Sequence, residues 1–357
     1  MRRIKLVVSD FHIGFGRVKP DGSVNALEDF VSDQAFIDLL EYYRTGEFAD
    51  AEVEVVLNGD IFECLISVDP EESDPDMITA AKSVEKIGHI VAGHREMFDA
   101  LRVFTAGENR QVTFIVGNHD QDLLWEEVRE LLKREIHADI RFFDEPYRFD
   151  GVHIEHGHQY ELNNRWDPER KFLTKGLSEP ILNLPWGTDL FINCLLKVKR
   201  ARPYVNRVRP FRQALMWSVF HDLGIVLRGL WAFFAAIFKA RFRKLRQRRI
   251  TFLHTLRLSL KFDAFPTLEK AAKRLLRSGS VQTVIFGHTH LPMMRQPLPG
   301  KIYVNSGSWI PTSNLHISGL GRNLLQTYVY VEYDGDIPRA HLKLWHGRRV
   351  VEEDVII

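Results

Sequence analysis

The sequence predicts an α/β fold, and three observations carry that prediction. Short apolar runs rich in β-branched residues recur along the chain, helical patterns separate several of them, and small polar motifs stand where the apolar runs end. Residues 4–8, 53–57, 112–116, 152–155 and 281–286 read as strands on that basis. Helices are expected over residues 35–43, over 77–104 with a break near Gly88 or Gly93, and over 122–136. Beyond Ile302 the alternation stops. Residues 302–304, 326–333 and 340–345 read as consecutive antiparallel strands that complete the sheets, and residues 69–76 as an acidic loop.

Residues 165–278 break this rhythm. They show no clear strand and look helical; residues 211–239 are rich in Leu, Trp and Phe, and seven basic residues crowd into 239–249. The chain holds 48 Lys+Arg and 47 Asp+Glu, a net charge of +1. Of these, 25 basic but only 7 acidic residues fall within 165–278. An acidic body (residues 1–164 and 279–357) is therefore expected to carry a basic, apolar helical insertion (165–278).

Composition narrows the class further. A length of 357 residues and an apolar fraction of 45% suit one large soluble domain or two modest ones. The two cysteines, Cys64 and Cys194, offer neither a disulfide framework nor a cysteine-rich metal site and fit a reducing cytoplasm. The first apolar run ends at Ser9, too soon for the core of a secretory signal. The longest apolar stretch without charge, residues 229–238, falls short of the roughly 20 residues that span a bilayer. Crossing a membrane is not expected; lying on one stays open.

Five motifs at strand ends carry the chemistry: Asp10-Phe11-His12, Gly59-Asp60, Gly117-Asn118-His119-Asp120, His156-Gly157-His158 and Gly287-His288-Thr289-His290. Asp, Asn and His suit Mn, Fe, Zn or Mg, and the carboxyl ends of strands are where open α/β sheets place ligands. In an extended backbone Asp10 and His12 would point to the same side and reach one ion. Asp60 could bridge two cations, with Asn118 adding a neutral oxygen and His156, His288 and His290 adding imidazoles. A lone histidine is more often a hydrogen-bonded core or loop residue, and that reading holds for His94 and His153. His158 reads as support for the ligands or structure, Glu63 as a partner of a neighbouring ligand, and Cys64 as merely buried.

This ordered set resembles the calcineurin-like metallophosphoesterase superfamily over all of the chain but the insertion and the extreme C-terminus. The resemblance implies a four-layer α/β/β/α sandwich with a helical insertion and two divalent metal ions, Mn first among the candidates. Asp10, His12, Asp60 and His290 would hold one ion, and Asp60, Asn118, His156 and His288 the other. It implies further that a metal-bound hydroxide attacks phosphorus, that His119 serves the leaving group, and that Asp120 holds the His119 ring.

A closer resemblance, carried by residues 59–63 (Gly-Asp-Ile-Phe-Glu), residues 287–292 (Gly-His-Thr-His-Leu-Pro) and the placing of the insertion, is to the bacterial UDP-2,3-diacylglucosamine pyrophosphohydrolases. Residues His119 and His158 replace an Arg and an Asp usual there, and this insertion is longer. The expected substrate is thus a phosphorylated, lipid-containing small molecule. Soluble nucleotides or nucleic acid, and a non-catalytic scaffold, are the alternatives.

Three roles are open to the insertion. It can supply core or a subunit interface, or a lipid-handling cap or element on an anionic membrane, since Trp217, Phe220, Trp231, Phe233, Phe234 and Phe238 neighbour the basic run. It can also bind nucleic acid, which its bulky aliphatic surroundings disfavour. The expected location is cytoplasmic, peripheral on the inner face of the cytoplasmic membrane.

Overall fold

The computed structural model describes residues 1–19, 21–66, 77–209, 211–242, 268–314, 321–347 and 353–354. The expected acidic loop and the far end of the basic run, from residue 243 on, lie outside them. The chain opens with β1 (Arg3–Val8), α1 (Asp33–Arg44), β2 (Glu52–Asn58), α2 (Ala80–Gly93), α3 (Arg95–Thr105), β3 (Arg110–Ile115), α4 (Glu126–Ile136) and β4 (Arg141–Phe143). Strands β1 to β4 pair in parallel, each crossover returning through helix, as a strand–helix alternation requires. The break in the second helical stretch falls at His94, next to one of the two glycines that suggested it.

A second sheet begins with β5 (Tyr147–Phe149) and β6 (Val152–Ile154) and is completed after the insertion by β10 (Thr283–Phe286), β11 (Met293–Leu298) and β12 (Lys301–Asn305). Here the sequence expectation needs correcting. Residues 302–304 were expected to run antiparallel in series with the later strands, but β12 pairs in parallel with β10 and antiparallel with β11. The hairpin β13 (Thr327–Asp334) and β14 (Ile337–Leu344) instead joins the first sheet beside β1.

Three cores make four layers of this arrangement. Val7, Val56 and Ile115 of the first sheet pack against Ile154, Ile285 and Val304 of the second. The other face of the first sheet is covered by α1 to α4 through residues such as Phe36, Ile90, Phe98 and Leu132. Helix α9 (Glu269–Leu276) covers the outer face of the second sheet with Ala272 and Leu276. With both sheets buried on both faces, their central strands read as nearly unbroken apolar runs. The α/β/β/α sandwich is the fold of this chain.

The described residues of 165–278 are mostly helical, but three two-residue strands among them correct the expectation of none. These are β7 (Phe172–Leu173), β8 (Ile181–Leu182) and β9 (Val208–Arg209). Its first part packs on the body, with Phe172 against Trp125 at 4.3 Å between ring centres. Helix α5 (Trp186–Leu190) runs through a π-helical turn (Phe191–Leu195) into α6 (Leu196–Ala201). A buried ion cluster then ties this part down: Asp29 accepts from Lys199 Nζ at 2.7 Å and from Arg207 Nε at 2.7 Å. Two further helices, α7 (Phe211–His221) and α8 (Leu223–Arg241), lie outside that layer.

Candidate metal centre

The five motifs converge because five parallel strands end at one rim. Strands β1, β2 and β3 of the first sheet deliver Asp10 and His12, Asp60, and Asn118 to Asp120; β6 and β10 of the second deliver His156 and His288 with His290. Ligand atoms of Asp10, His12 and His290 lie within 4.8 Å of one another, as do those of Asp60, His156 and His288. His290 Nε2 stands 3.2 Å from Asp10 Oδ1, and His156 Nε2 stands 3.1 Å from Asp60 Oδ2.

The backbone that achieves this is not the extended one expected for Asp10 and His12. Asp10, His12, Asp60, His288 and His290 all take positive φ, from 49° to 68°. Left-handed backbone is costly for residues with a Cβ, on the order of 1–3 kcal/mol each. Cross-linked loops hold it in place: His12 N donates to Asp60 O at 3.0 Å, and Ile13 N to Ile61 O at 2.8 Å. The His288 amide caps Asp10 with hydrogen bonds of 3.1 and 3.0 Å to its two carboxylate oxygens. Close approach also demands glycine. A Cβ on Gly59, whose φ is +78°, would meet the His156 ring at 2.5 Å, and one on Gly117 would meet Asp60 N at 2.2 Å.

Electrostatically the cluster is a set of buried anions in want of cations. Burial would raise the Asp10 and Asp60 carboxyls, but His290 and His156 hold Asp10 below the usual range, and His156 and His119 hold Asp60 well below it. In return, and against its own burial, His156 is raised to about 10 by Asp60 and Asp10. Protonated imidazole here supplies positive charge that divalent ions can supply instead.

The surroundings of Asn118 and His156 fit that reading. Asn118 Oδ1 is buried and has no hydrogen-bond partner among the described residues, and His156 Nε2 faces only the Asp60 and Asp10 carboxylates, at 3.1 and 4.0 Å. His156 Nδ1 meanwhile donates to Asn58 O at 2.9 Å, which leaves Nε2 as the lone-pair nitrogen when the ring is neutral. An O/N donor set of carboxylates, one amide and imidazoles matches borderline divalent cations.

Around His119 the structure corrects the sequence reading. Asp120 does not hold the His119 ring; its carboxylate accepts backbone amides of Gly117 at 2.6 Å and Ile61 at 2.8 Å, clamping the β2 and β3 loops together. Burial and Asp60 push the Asp120 carboxyl up to about 7, while those amides pull the other way. The ring partner is Glu63, whose two oxygens each lie 3.0 Å from His119 Nδ1, while His12 Nδ1 lies 3.2 Å from Glu63 Oε2. One buried carboxylate thus orients both imidazoles. Burial would lower His119, but Glu63 and Asp60 raise it to about 9. The two imidazoles hold Glu63 well below the usual range against the effect of burial.

Glu161, which sequence reasoning missed, places Oε1 2.9 Å from His288 Nε2. Its only signal in the sequence is its position three residues past the His156-Gly157-His158 motif. His158 is wholly buried against Trp166 at 4.2 Å between rings, and neither of its nitrogens has a hydrogen-bond partner among the described residues. Burial, then His156 and His288, push its pKa well down, so it is a neutral packing ring. His153 is bound by Glu155 and Arg148, as a structural residue should be. Cys64 is a buried thiol that burial and Asp122 keep protonated.

No protein-family model matches this chain, and no curated protein matches it. Among solved structures it is similar to Vps29 from Entamoeba histolytica complexed with zinc, at 13% identity and a TM-score of 0.33, over 99% of this chain and 98% of that one. It is similar also to a dimetal phosphatase from Danio rerio, at 14% identity and a TM-score of 0.35, over 99% and 98% of the two chains. A third is GAP50, the anchor in the inner membrane complex of Plasmodium, at 10% identity and a TM-score of 0.35, over 100% and 89%. Likenesses this slight carry no argument for what this chain does.

Proposed function

We propose that this protein is a hydrolase of phosphate esters or pyrophosphates that works with two divalent metal ions. The observation that carries the reading is the convergence of Asp10, His12, Asp60, His156, His288 and His290 on one rim, with the Asn118 oxygen, just past β3, buried and without a hydrogen-bond partner among the described residues. Asp10, His12 and His290 would form one cradle and Asp60, Asn118, His156 and His288 the other; Asp60 Oδ2, 3.9 Å from His12 Nε2 and 3.1 Å from His156 Nε2, would serve both. Bound cations would supply a water of lowered pKa and neutralise charge on the phosphoryl oxygens.

The chain's own residues do the rest. The Asp60 carboxylate is fixed by the His119 amide, which donates to its Oδ1 at 2.8 Å. Glu63 takes Nδ1 of His119 and leaves Nε2 as the nitrogen that can give a proton to the departing oxygen. Asp120 keeps the loops that present Asn118 and Asp60 in register. Phe191, from the insertion, packs against His119 at 5.3 Å between ring centres, with the ring planes 71° apart. Because the insertion meets the site with an apolar side chain, the substrate we favour is amphipathic, of the kind a UDP-diacylglucosamine represents.

Asp60→Ala tests the hydrolase. In a Mn-supplemented assay of a small chromogenic phosphodiester it should abolish turnover, and metal analysis should show lost Mn with secondary structure intact. Wild-type activity in Asp60→Ala would end the proposal. UMP release from UDP-2,3-diacylglucosamine, set beside soluble nucleotides and identified by mass, decides the substrate; hydrolysis of the soluble nucleotides alone would remove the lipid reading.

A further inference from the structure

Helix α8 is built inside out. Its alanines Ala232, Ala236 and Ala240 face inward and are buried, Ala236 to 7% exposure. Its large apolar residues Leu227, Leu230, Trp231, Phe234 and Phe238 face outward, with Trp231 77% exposed. Their spacing of three and four residues makes one continuous stripe along the helix. On α7, Trp217 and Phe220 extend the exposed apolar surface. A patch of this kind on a folded chain marks a surface that meets something apolar.

Charge selects the partner. Arg228, Lys239 and Arg241 are exposed on α8, and Asp222 is the lone acidic residue in 211–242, where it accepts a hydrogen bond from Arg202 at 2.9 Å. Five more basic residues follow in the sequence at 243–249. A second copy docked by two-fold pairing of this face would set cations against cations. Anionic lipid headgroups satisfy the same cations while acyl chains take the aromatic stripe.

The geometry also fixes the orientation. Although α8 is long and apolar enough to cross a membrane by length and composition, its inner face is pinned along its length. Ala232 and Ala236 pack with Leu190 and Cys194, Cys194 Sγ lies 3.7 Å from Gly229 O, and Lys239 Nζ donates to Asn193 Oδ1 at 3.1 Å. A helix held flat on its own fold lies in the membrane plane rather than across it. The layer that holds it is the π-helical turn whose Phe191 touches His119, so a single helical layer separates the outer stripe from the catalytic rim.

We propose that the outer face of α7 and α8 docks in the interface of an anionic membrane, with α8 in the membrane plane. Docking does not depend on the hydrolase reading, so the test reads binding rather than turnover. Full-length protein should float with phosphatidylcholine vesicles containing phosphatidylglycerol and bind roughly tenfold or more weakly to phosphatidylcholine alone or in high salt. The triple variant Trp231→Ser, Phe234→Ser, Phe238→Ser should lose flotation, and Lys239→Glu with Arg241→Glu should weaken it by about tenfold or more. Circular dichroism and an unchanged denaturation midpoint would show both variants folded. Absent binding to anionic vesicles, or wild-type binding by both variants, would overturn the proposal. A dimer that the triple variant dissociates, without vesicle binding, would make the face a subunit interface. Resistance of the membrane-bound protein to alkaline carbonate extraction would make α8 a spanning helix.

Discussion

The rim of the two sheets and the outer face of α7 and α8 invert each other's use of burial. At the rim, Asp10, Asp60, Asn118 and His156 are polar and almost wholly buried; on α8, Trp231, Phe234 and Phe238 are apolar and exposed while alanines take the inside. Neither arrangement serves the stability of an isolated chain, since buried charge must be compensated and exposed aromatic surface gains nothing from water. Each is incomplete alone, the rim in positive charge and the helices in apolar surface. The rim is also strained at five residues, whereas α8 is an unstrained helix with a capping hydrogen bond from Ile225 N to Asp222. Function is thus written as backbone strain in one region and as side-chain placement in the other.

The largest expected effect comes from cutting the two regions apart. Glu28 and Asp29 are neighbours that serve one region each. Glu28 accepts the amides of Gly14 and Gly16 at 3.0 and 2.8 Å and so shapes the loop after His12; Asp29 holds Lys199 and Arg207 of the insertion. Asp29→Ala would leave two buried cations uncompensated, at a cost of about 3–5 kcal/mol. Chemical denaturation should show that loss, and proteolysis should cut within 165–278 before the sandwich. An unchanged denaturation midpoint would mean that the insertion is held by something other than this ion cluster.

Next in size is a change confined to the rim. Gly117→Ala would drive a methyl group to 2.3 Å from Asp60 Oδ1 and displace the carboxylate that both cradles share. A misplacement on the order of 1 Å costs roughly 100-fold in turnover. The Mn-dependent kcat/KM should fall by about that factor while vesicle binding stays at the wild-type level. Joint loss of both would show that the regions do not function separately.

Much of this was legible in the sequence, and the failures have definite causes. Strand ends pointed to the six carboxylates and imidazoles that gather in the two groups, because short apolar runs closed by Asp, Asn or His announce both the strand and the rim. Left-handed backbone at Asp10, His12 and Asp60 was not legible, since Asp and His adopt either conformation and only the crowding of neighbouring loops decides. The same crowding turns Asp120 toward its own loop and gives His119 to Glu63, a residue 56 positions away. Strand β12 was misplaced because periodicity reports burial and is silent on direction. For α8 the sequence showed an apolar helix beside basic residues, but a helix with alanines on one side and aromatics on the other can be packed with either face inward.

The smallest effect concerns the junction between the regions and has a definite pH signature. His94 lies between Asp33, which takes its Nδ1, and Glu28, whose Oε2 is 3.6 Å from its Nε2. Burial would lower its pKa, but the two carboxylates raise it to about 9 from an ordinary 6.5. A group whose folded pKa is raised binds its proton more tightly in the folded chain. Its stabilisation is therefore complete below pH 6.5, declines between 6.5 and about 9, and is absent above that. The amount is at most about 3 kcal/mol. In His94→Gln this part of the pH dependence should vanish, so wild type and variant should converge in stability as the pH rises toward 9. Parallel stability curves across that window would mean that His94 does not carry the proton. Since Glu28 also shapes the loop after His12, loss of charge at His94 should loosen the rim before it touches the face formed by α7 and α8, and turnover at pH 9 should fall before vesicle binding does.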